Sequence, residues 1–261
     1  GGVCNQKTNR ARQESPPAVH DDQPDHAQAA GPDRVNQEAV PDDLVAKTWS
    51  RPFEPPRSIP ASADVVIIGG GIIGVSTAWF LAMQGVDVVL CEKGHIAGEQ
   101  SGRNWGWVRQ QGRDVREMPM ILESLNIWRT LADEIGEDVG YRQTGCLYAA
   151  RDDEQLEHYA AWMSIAKEFG VDTRVLSGEE VAQFTRGATV TWKGALFTAS
   201  DGCAEPHKAT PAIARAAVRN GATILTACAV RGLEKEFGHV AGVGTEHGTI
   251  KPPGGLCAAA A

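Results

Sequence analysis

The stretch ADVVIIGGGIIGVSTAWFLAMQGVDVVLCEK, residues 63–93, decides how the rest of the chain is read. Asp64 is followed by four β-branched residues, Val65 to Ile68, an apolar run with the length and composition of a buried parallel strand. Gly69, Gly71 and Gly74 come next, in G-x-G-x-x-G spacing. From Ile72 the pattern turns helical, with Trp79, Phe80 and Met83 expected on its apolar face, and Gly85 stands where a C-terminal cap glycine belongs. Val86 to Cys91 reads as a second strand, and it ends in Glu92. The first glycine permits a sharp turn, the second lets the backbone approach a pyrophosphate, and the third lets helix and strand pack closely. The helix N-terminus then offers N–H groups and a positive dipole end to that pyrophosphate, and an acid at the end of the next strand is placed to accept ribose hydroxyls.

Two other readings compete with this one. Glycine-rich turns also occur in ordinary α/β units, but here the turn follows a strand, opens a helix and is answered by an acid, which favours a nucleotide site. Val65 to Val86 carries no side-chain charge and is long enough to span a membrane. Three consecutive glycines in its middle, after β-branched residues, argue for soluble core instead.

The rest of the composition narrows the field. The 261 residues suffice for one large or two ordinary domains. A net charge of −8 and no Lys/Arg-rich run argue against a nucleic-acid surface. The six cysteines, at 4, 91, 146, 203, 228 and 257, show no C-x-x-C, so neither a zinc site nor a disulfide framework is expected, and a cytoplasmic setting is the default. The seven histidines lack ligand spacing, and no metal is expected. No apolar signal-peptide core opens the chain, which begins with Gly and so reads as a fragment or processed product. Nine of the fourteen prolines precede Ala61, among polar residues, and residues 1–60 read as a disordered extension. Leu44, Val45, Trp49 and Phe53 give its second part the means to dock as an arm.

Residues 93–114, KGHIAGEQSGRNWGWVRQQGRD, hold five glycines, tryptophans at 105 and 107, and arginines at 103, 109 and 113. Glycine permits close approach, tryptophan walls a flat ring, and arginine donates to phosphate or carboxylate, so the segment reads as a ligand loop, with an ordered loop of self-packing tryptophans as the alternative. Arg109, Gln110 and Gln111 are placed either to face a substrate or to bind the protein's own loops. Further on, a helix is expected over Met118–Ile135, ended by Gly136. A strand-pair region follows over Tyr141–Ala150, then a helix over Asp152–Phe169 with Tyr159, Trp162 and Ile165 inward. Val171–Leu176 reads as a strand, Ser177 and Glu180 form an S-x-x-E capping box for a brief helix to Phe184, and Thr189–Ser200 reads as an interrupted strand. Pro206 marks the start of an alanine-rich helix reaching Arg219. The fold class is therefore α/β, opening with a βαβ unit.

The strand–GGGIIG–helix–strand–EK unit, with S-G-R-N-x-G at Ser101–Gly106, resembles the FAD-dependent glycine/D-amino-acid oxidase-like family. FTASDGCAEPHKATPAIARAAVRNGATI (197–224) resembles that family's strand, D-G-x-x-x-P turn and helix, and residues 227–250 its next strand and hairpin. The resemblance covers roughly Ala61 to Ile250. It implies a Rossmann-like FAD-binding domain with a parallel sheet and part of an α+β substrate domain. The divisions it implies are an extension at 1–60, the first part of the FAD domain at 61–115, a partial substrate domain at 116–200, and a return to the FAD domain at 201–261. The implied FAD contacts are Gly69, Gly71, Ile72, Ile73 and Gly74 at the turn, and Glu92 and Lys93 at the ribose. Gln100, Ser101, Trp105 and Gly106 are implied near pyrophosphate and ring, and Val230 at the adenine. The implied activity is oxidation of an amine or amino acid, with oxygen or a respiratory carrier as electron acceptor. An NAD-dependent dehydrogenase and a non-catalytic nucleotide-binding module remain the alternatives. No catalytic residue is singled out, because the family's substrate-carboxylate arginine belongs to a C-terminal half that is not expected before Ala261. Pro252 and Pro253 are hostile to a central strand, and Leu256–Ala261 reads as the remnant of one.

Overall fold

The computed structural model describes residues 58–251 and the backbone of 256–259. The expectations for residues 1–57, including the arm, and for Pro252 and Pro253 lie outside the described residues. In chain order the elements begin with β1 (Val65–Ile68), α1 (Ile72–Met83), β2 (Val88–Cys91), α2 (Gln100–Arg103), β3 (Trp107–Val108) and α3 (Met118–Ile135). They continue with β4 (Cys146–Ala150), α4 (Asp153–Ala160), α5 (Met163–Glu168), β5 (Thr173–Ser177), α6 (Gly178–Phe184), β6 (Gly194–Thr198) and β7 (Gly202–Cys203). The last are α7 (Pro206–Arg219), β8 (Thr223–Leu225), β9 (Val230–Glu236), β10 (His239–Thr245), β11 (Gly248–Ile250) and β12 (Leu256–Ala259).

The first sheet has strand order β12-β1-β2-β8 and is parallel throughout. Its two faces are sorted residue by residue. Val65, Ile67, Val88 and Leu90 pack with Val75, Ala78, Trp79 and Ala82 of α1 and with the alanines of α7. Val66, Val89 and Cys91 point the other way, onto Val243 and Ile250 of the antiparallel β9–β10–β11 sheet. Burial on both faces is why β1 and β2 are apolar at every position rather than at every second one. Each of these aliphatic side chains, once buried, contributes roughly 1.5–3 kcal/mol. A second antiparallel sheet, β4-β6-β5, buries Leu176, Ala195 and Phe197 against Val181 of α6. A short antiparallel ladder pairs β3 with β7.

The α/β class and the parallel sheet agree with the sequence reading, and several details change. On α1 the buried positions are Gly74 and a stripe at 75, 78, 79 and 82, a true i, i+3, i+4, i+7 pattern, while Phe80 and Met83 are exposed. The second strand starts at Val88, after the Asp87 N–H has turned to Asp64 Oδ2. Tyr141–Ala150 holds one strand and not a pair, because residues 141–145 are taken up by a bridge from Arg142 to Cys203 and by Gly145 at φ +75°. The helix expected over Asp152–Phe169 is two. At Trp162 the backbone tightens to an i→i−3 bond onto Tyr159, and the indole N–H donates to Arg113 O at 2.8 Å. Within Val171–Leu176 the strand begins two residues later, at Thr173, and it runs on to Ser177. Only Gly194–Thr198 of the expected 189–200 segment is strand. The capping box at Ser177 and Glu180 is present in both directions.

Candidate functional site

Every element of the first βαβ unit converges on the C-terminal end of β1. Gly69 turns the chain at φ +109°, and Gly71 is the N-cap of α1 and supplies no side chain to it. The first turn of α1 carries no acidic residue, so its positive end is left for an anion. At Gly74 a Cβ would stand 2.0 Å from Gly69 O, so the contact between helix and turn requires hydrogen there. Glu92 is 8% exposed, and its carboxylate accepts two backbone N–H groups, from Gly70 and Gly94, each at 2.7 Å. From the loop, Ser101 Oγ accepts the Ile72 N–H at 2.8 Å. Asn104 Oδ1 accepts the Gly106 N–H at 2.7 Å, and Asn104 Nδ2 donates to Ser101 O at 2.8 Å. Residues 100–106 are in this way fastened to the start of α1.

Two cavities share this wall. The larger, about 650 Å³, is bounded by Gly69, Gly70, Gly71, Ile72 and Ile73, by Glu92 and Lys93, by Gln100, Ser101 and Asn104, and by Val230 and Arg231. The smaller, about 290 Å³, also touches Ile72, Ser101 and Asn104. It then runs between Gly106, Trp107, Arg109 and Arg113 of the loop, Ile121, Leu125 and Trp128 of α3, and Pro206 and Thr210 of α7. Arg109 stands over the rings of Trp107 and Tyr148, at 5.3 and 5.7 Å from their centroids. Lys93 is ion-paired to Glu99, and Arg231 to Glu246.

Of the residues singled out in the sequence, Gly69, Gly71, Ile72, Ile73, Glu92, Lys93, Gln100, Ser101 and Val230 line the larger cavity. Gly74 lies behind the turn and holds it. Gly106 lines the smaller cavity at φ +72°, where a Cβ would meet Ala204 O at 2.1 Å. Trp105 lines neither and is 83% exposed, edge-on to Trp107. The sequence reading missed Gly70, whose N–H engages Glu92, although it is the middle glycine of the GGG run. It also left out Asn104, inside the S-G-R-N-x-G motif, which borders both cavities. Trp128 and Thr210 carry no local signal at all; only the packing of α3 and α7 brings them to the loop.

Below the smaller cavity lies a buried polar network. Asp201 is fully buried, and its carboxylate accepts the Gln110 N–H at 2.7 Å, the Gln111 N–H at 3.1 Å and Gln110 Nε2 at 3.2 Å. Burial pushes the Asp201 carboxyl above its ordinary range, and these N–H groups pull against it. Gln111 Oε1 accepts from Thr198, which is bonded to Thr173 at 2.6 Å.

The cradle fits a dinucleotide: a bare glycine turn, a helix N-terminus with no acidic residue in its first turn and an acid at the next strand end surround one cavity. Residues 64–260 match the family model described as DAO, FAD dependent oxidoreductase. Among curated proteins, the chain is 32% identical over 210 residues to the mitochondrial sarcosine dehydrogenase of Mus musculus, covering 77% of this chain and 23% of that one. It is 31% identical over 210 residues to the sarcosine oxidase subunit beta of Arthrobacter sp, covering 77% and 51%. Among solved structures, the L-amino acid deaminase from Proteus vulgaris superposes with a TM-score of 0.74 at 36% identity, covering 80% of this chain and 49% of that one. The chain thus spans about a quarter to a half of the length of these relatives.

Proposed function

From the premise that this chain belongs to the FAD-dependent oxidoreductase family, we propose that it supplies the FAD-binding half of an enzyme that oxidises an amine or amino acid. The family match decides for flavin over a nicotinamide cofactor. The observation that carries the proposal is the pair of cavities sharing Ile72, Ser101 and Asn104, with the glycine turn at the base of the larger one. In this reading Gly69, Gly71 and the N-terminus of α1, with Ile72 and Ile73, hold the pyrophosphate. Gly74 keeps the helix close, and Glu92 and Lys93 face the ribose. Val230 borders the adenine, and Gln100, Ser101 and Gly106 carry the chain from pyrophosphate towards the ring.

When bound, FAD supplies the acceptor for the hydride leaving the amine-bearing carbon. The chain's own contribution is placement. Trp107, Trp128, Ile121 and Leu125 give the smaller cavity an apolar wall, and Arg109 and Arg113 set a positive charge at its edge. The similarity to sarcosine and L-amino-acid enzymes supports a substrate among small amines bearing a carboxylate, with oxygen or a respiratory carrier to reoxidise the cofactor. A visible absorption spectrum of the purified protein tests the cofactor. Flavin bands are the expected result, and a colourless protein that takes up no added FAD overturns the reading. Loss of those bands on anaerobic addition of sarcosine, glycine or an L-amino acid to the holoprotein tests the reaction.

A further inference from the structure

We propose that Asp201 is a positioning residue: through the main-chain N–H groups of Gln110 and Gln111 it holds Arg109 in the wall of the smaller cavity. The inference rests on the flavin reading above and assigns a role to a residue that touches neither cavity.

Residues 107–112 have few other anchors. Their regular pairing is two residues long, Trp107 to Cys203 and Val108 to Gly202, and Gly112 leaves the segment at φ +72°. Between those points the chain turns at Gln110 and Gln111, and both of its N–H groups end on one carboxylate about ninety positions later. Among the described residues, the three donors to the Asp201 carboxylate are all amides of these two glutamines. A buried carboxylate held by neutral amides alone is an expensive way to stabilise a loop. The carboxylate uses both oxygens: Oδ1 receives the Gln110 N–H and Nε2, and Oδ2 receives the Gln111 N–H.

The side chains of the same pair are tied to the β4–β6–β5 sheet. Gln110 Nε2 donates to Ser200 Oγ at 2.9 Å, and Ser200 Oγ donates to Asp172 at 2.6 Å. Gln111 Oε1 accepts from Thr198 at 2.8 Å. Arg109 is the residue just before this clamp, and it lines the cavity with its guanidinium over Trp107 and Tyr148 and donating to Gln111 O. The clamp therefore sets the direction of Arg109 relative to the cavity, while the dinucleotide turn at Gly69–Gly74 is built from separate residues.

That separation gives the test. ADP occupies only the larger cavity in this reading, whereas FAD also reaches the smaller one. Both dissociation constants are measured on the whole chain, freed of cofactor, for the unaltered protein, Asp201→Asn and Arg109→Met. Asn keeps the shape but turns one acceptor into a donor facing an N–H. Asp201→Asn and Arg109→Met are each expected to weaken FAD by about tenfold, the scale of one lost charge-assisted hydrogen bond, with ADP affinity unchanged. The double variant should lose less than the product of the two single losses. Equal weakening of FAD and ADP, unchanged FAD affinity, or full additivity would each overturn the proposal. Should Asp201→Asn fail to fold, Arg109→Met is read by the same contrast with the same consequences. An unaltered protein that binds neither ligand sinks the flavin reading and this inference together, and one that binds both while Asp201→Asn behaves as wild type sinks this inference alone.

Discussion

Glu92 Oε2 accepts the Gly70 N–H at 2.7 Å, so the acid at the end of β2 clasps the turn at the end of β1 across twenty-two positions of sequence. Its other oxygen holds Gly94. The same carboxylate faces the larger cavity, and the clasp gives it a structural task beside the ribose contact proposed for it.

Replacing it should therefore be felt without any ligand. Glu92→Gln turns one acceptor into a donor opposite a buried N–H, and we expect the ligand-free protein to lose roughly 1–3 kcal/mol in urea unfolding. FAD affinity should fall as well. An unchanged unfolding midpoint with weakened FAD binding would show that the clasp contributes nothing to the fold.

Two glycines of the turn should separate stability from binding. At Gly74 an added methyl meets Gly69 O at 2.0 Å, a backbone atom that cannot step aside. Gly74→Ala should cost at least the ~1–3 kcal/mol typical of overpacking and lower the melting temperature by several degrees. At Gly71 the nearest atom is Ser101 Oγ at 2.9 Å, the end of a side chain that can shift at the cost of its bond to the Ile72 N–H rather than a backbone atom. Gly71→Val should leave the protein folded by circular dichroism and abolish flavin retention. Normal flavin content in that variant would remove Gly71 from the site.

The junction of α3 and α7 predicts an acid sensitivity. Burial alone would push the Glu137 carboxyl up, but Arg215 and Arg219 both bond to it and hold it below its ordinary value of 4.5. A carboxyl lowered in the folded state contributes stability that is present above about pH 4.5 and is lost as pH falls through the lower folded value. Glu137→Gln should thus destabilise at neutral pH and flatten the loss below pH 4.5. Urea midpoints measured across that range check it, and parallel curves for the two proteins would contradict it.

Trp105 offers a test with the opposite sign. It is exposed and borders neither cavity, so Trp105→Ala should leave stability within about 0.5 kcal/mol and FAD affinity unchanged. A marked loss of FAD on titration would restore it to the contacts that its place in the loop first implied.

What was legible in the sequence was what repeats locally. The β-branched run at Val65–Ile68, the glycine spacing, the helix at Met118–Ile135 with its cap at Gly136 and the box at Ser177 and Glu180 each rest on neighbours within a few residues. Such signals survive because backbone geometry, capping and turn chemistry act over one or two turns of chain. Phe80 and Met83 were misplaced for a related reason: an apolar residue is not a buried one, and only the docking of α7 fixed the stripe at 75, 78, 79 and 82. The smaller cavity is wholly a tertiary product, since Arg109, Trp128 and Thr210 come from a loop and two helices with no sequence relation to one another. The same holds for Asp201 and Glu92, whose partners lie at Gln110 and Gln111 in one case and at Gly70 in the other. A carboxylate in a sequence shows that a charge is available; which N–H groups it meets is set by the path of the chain between them.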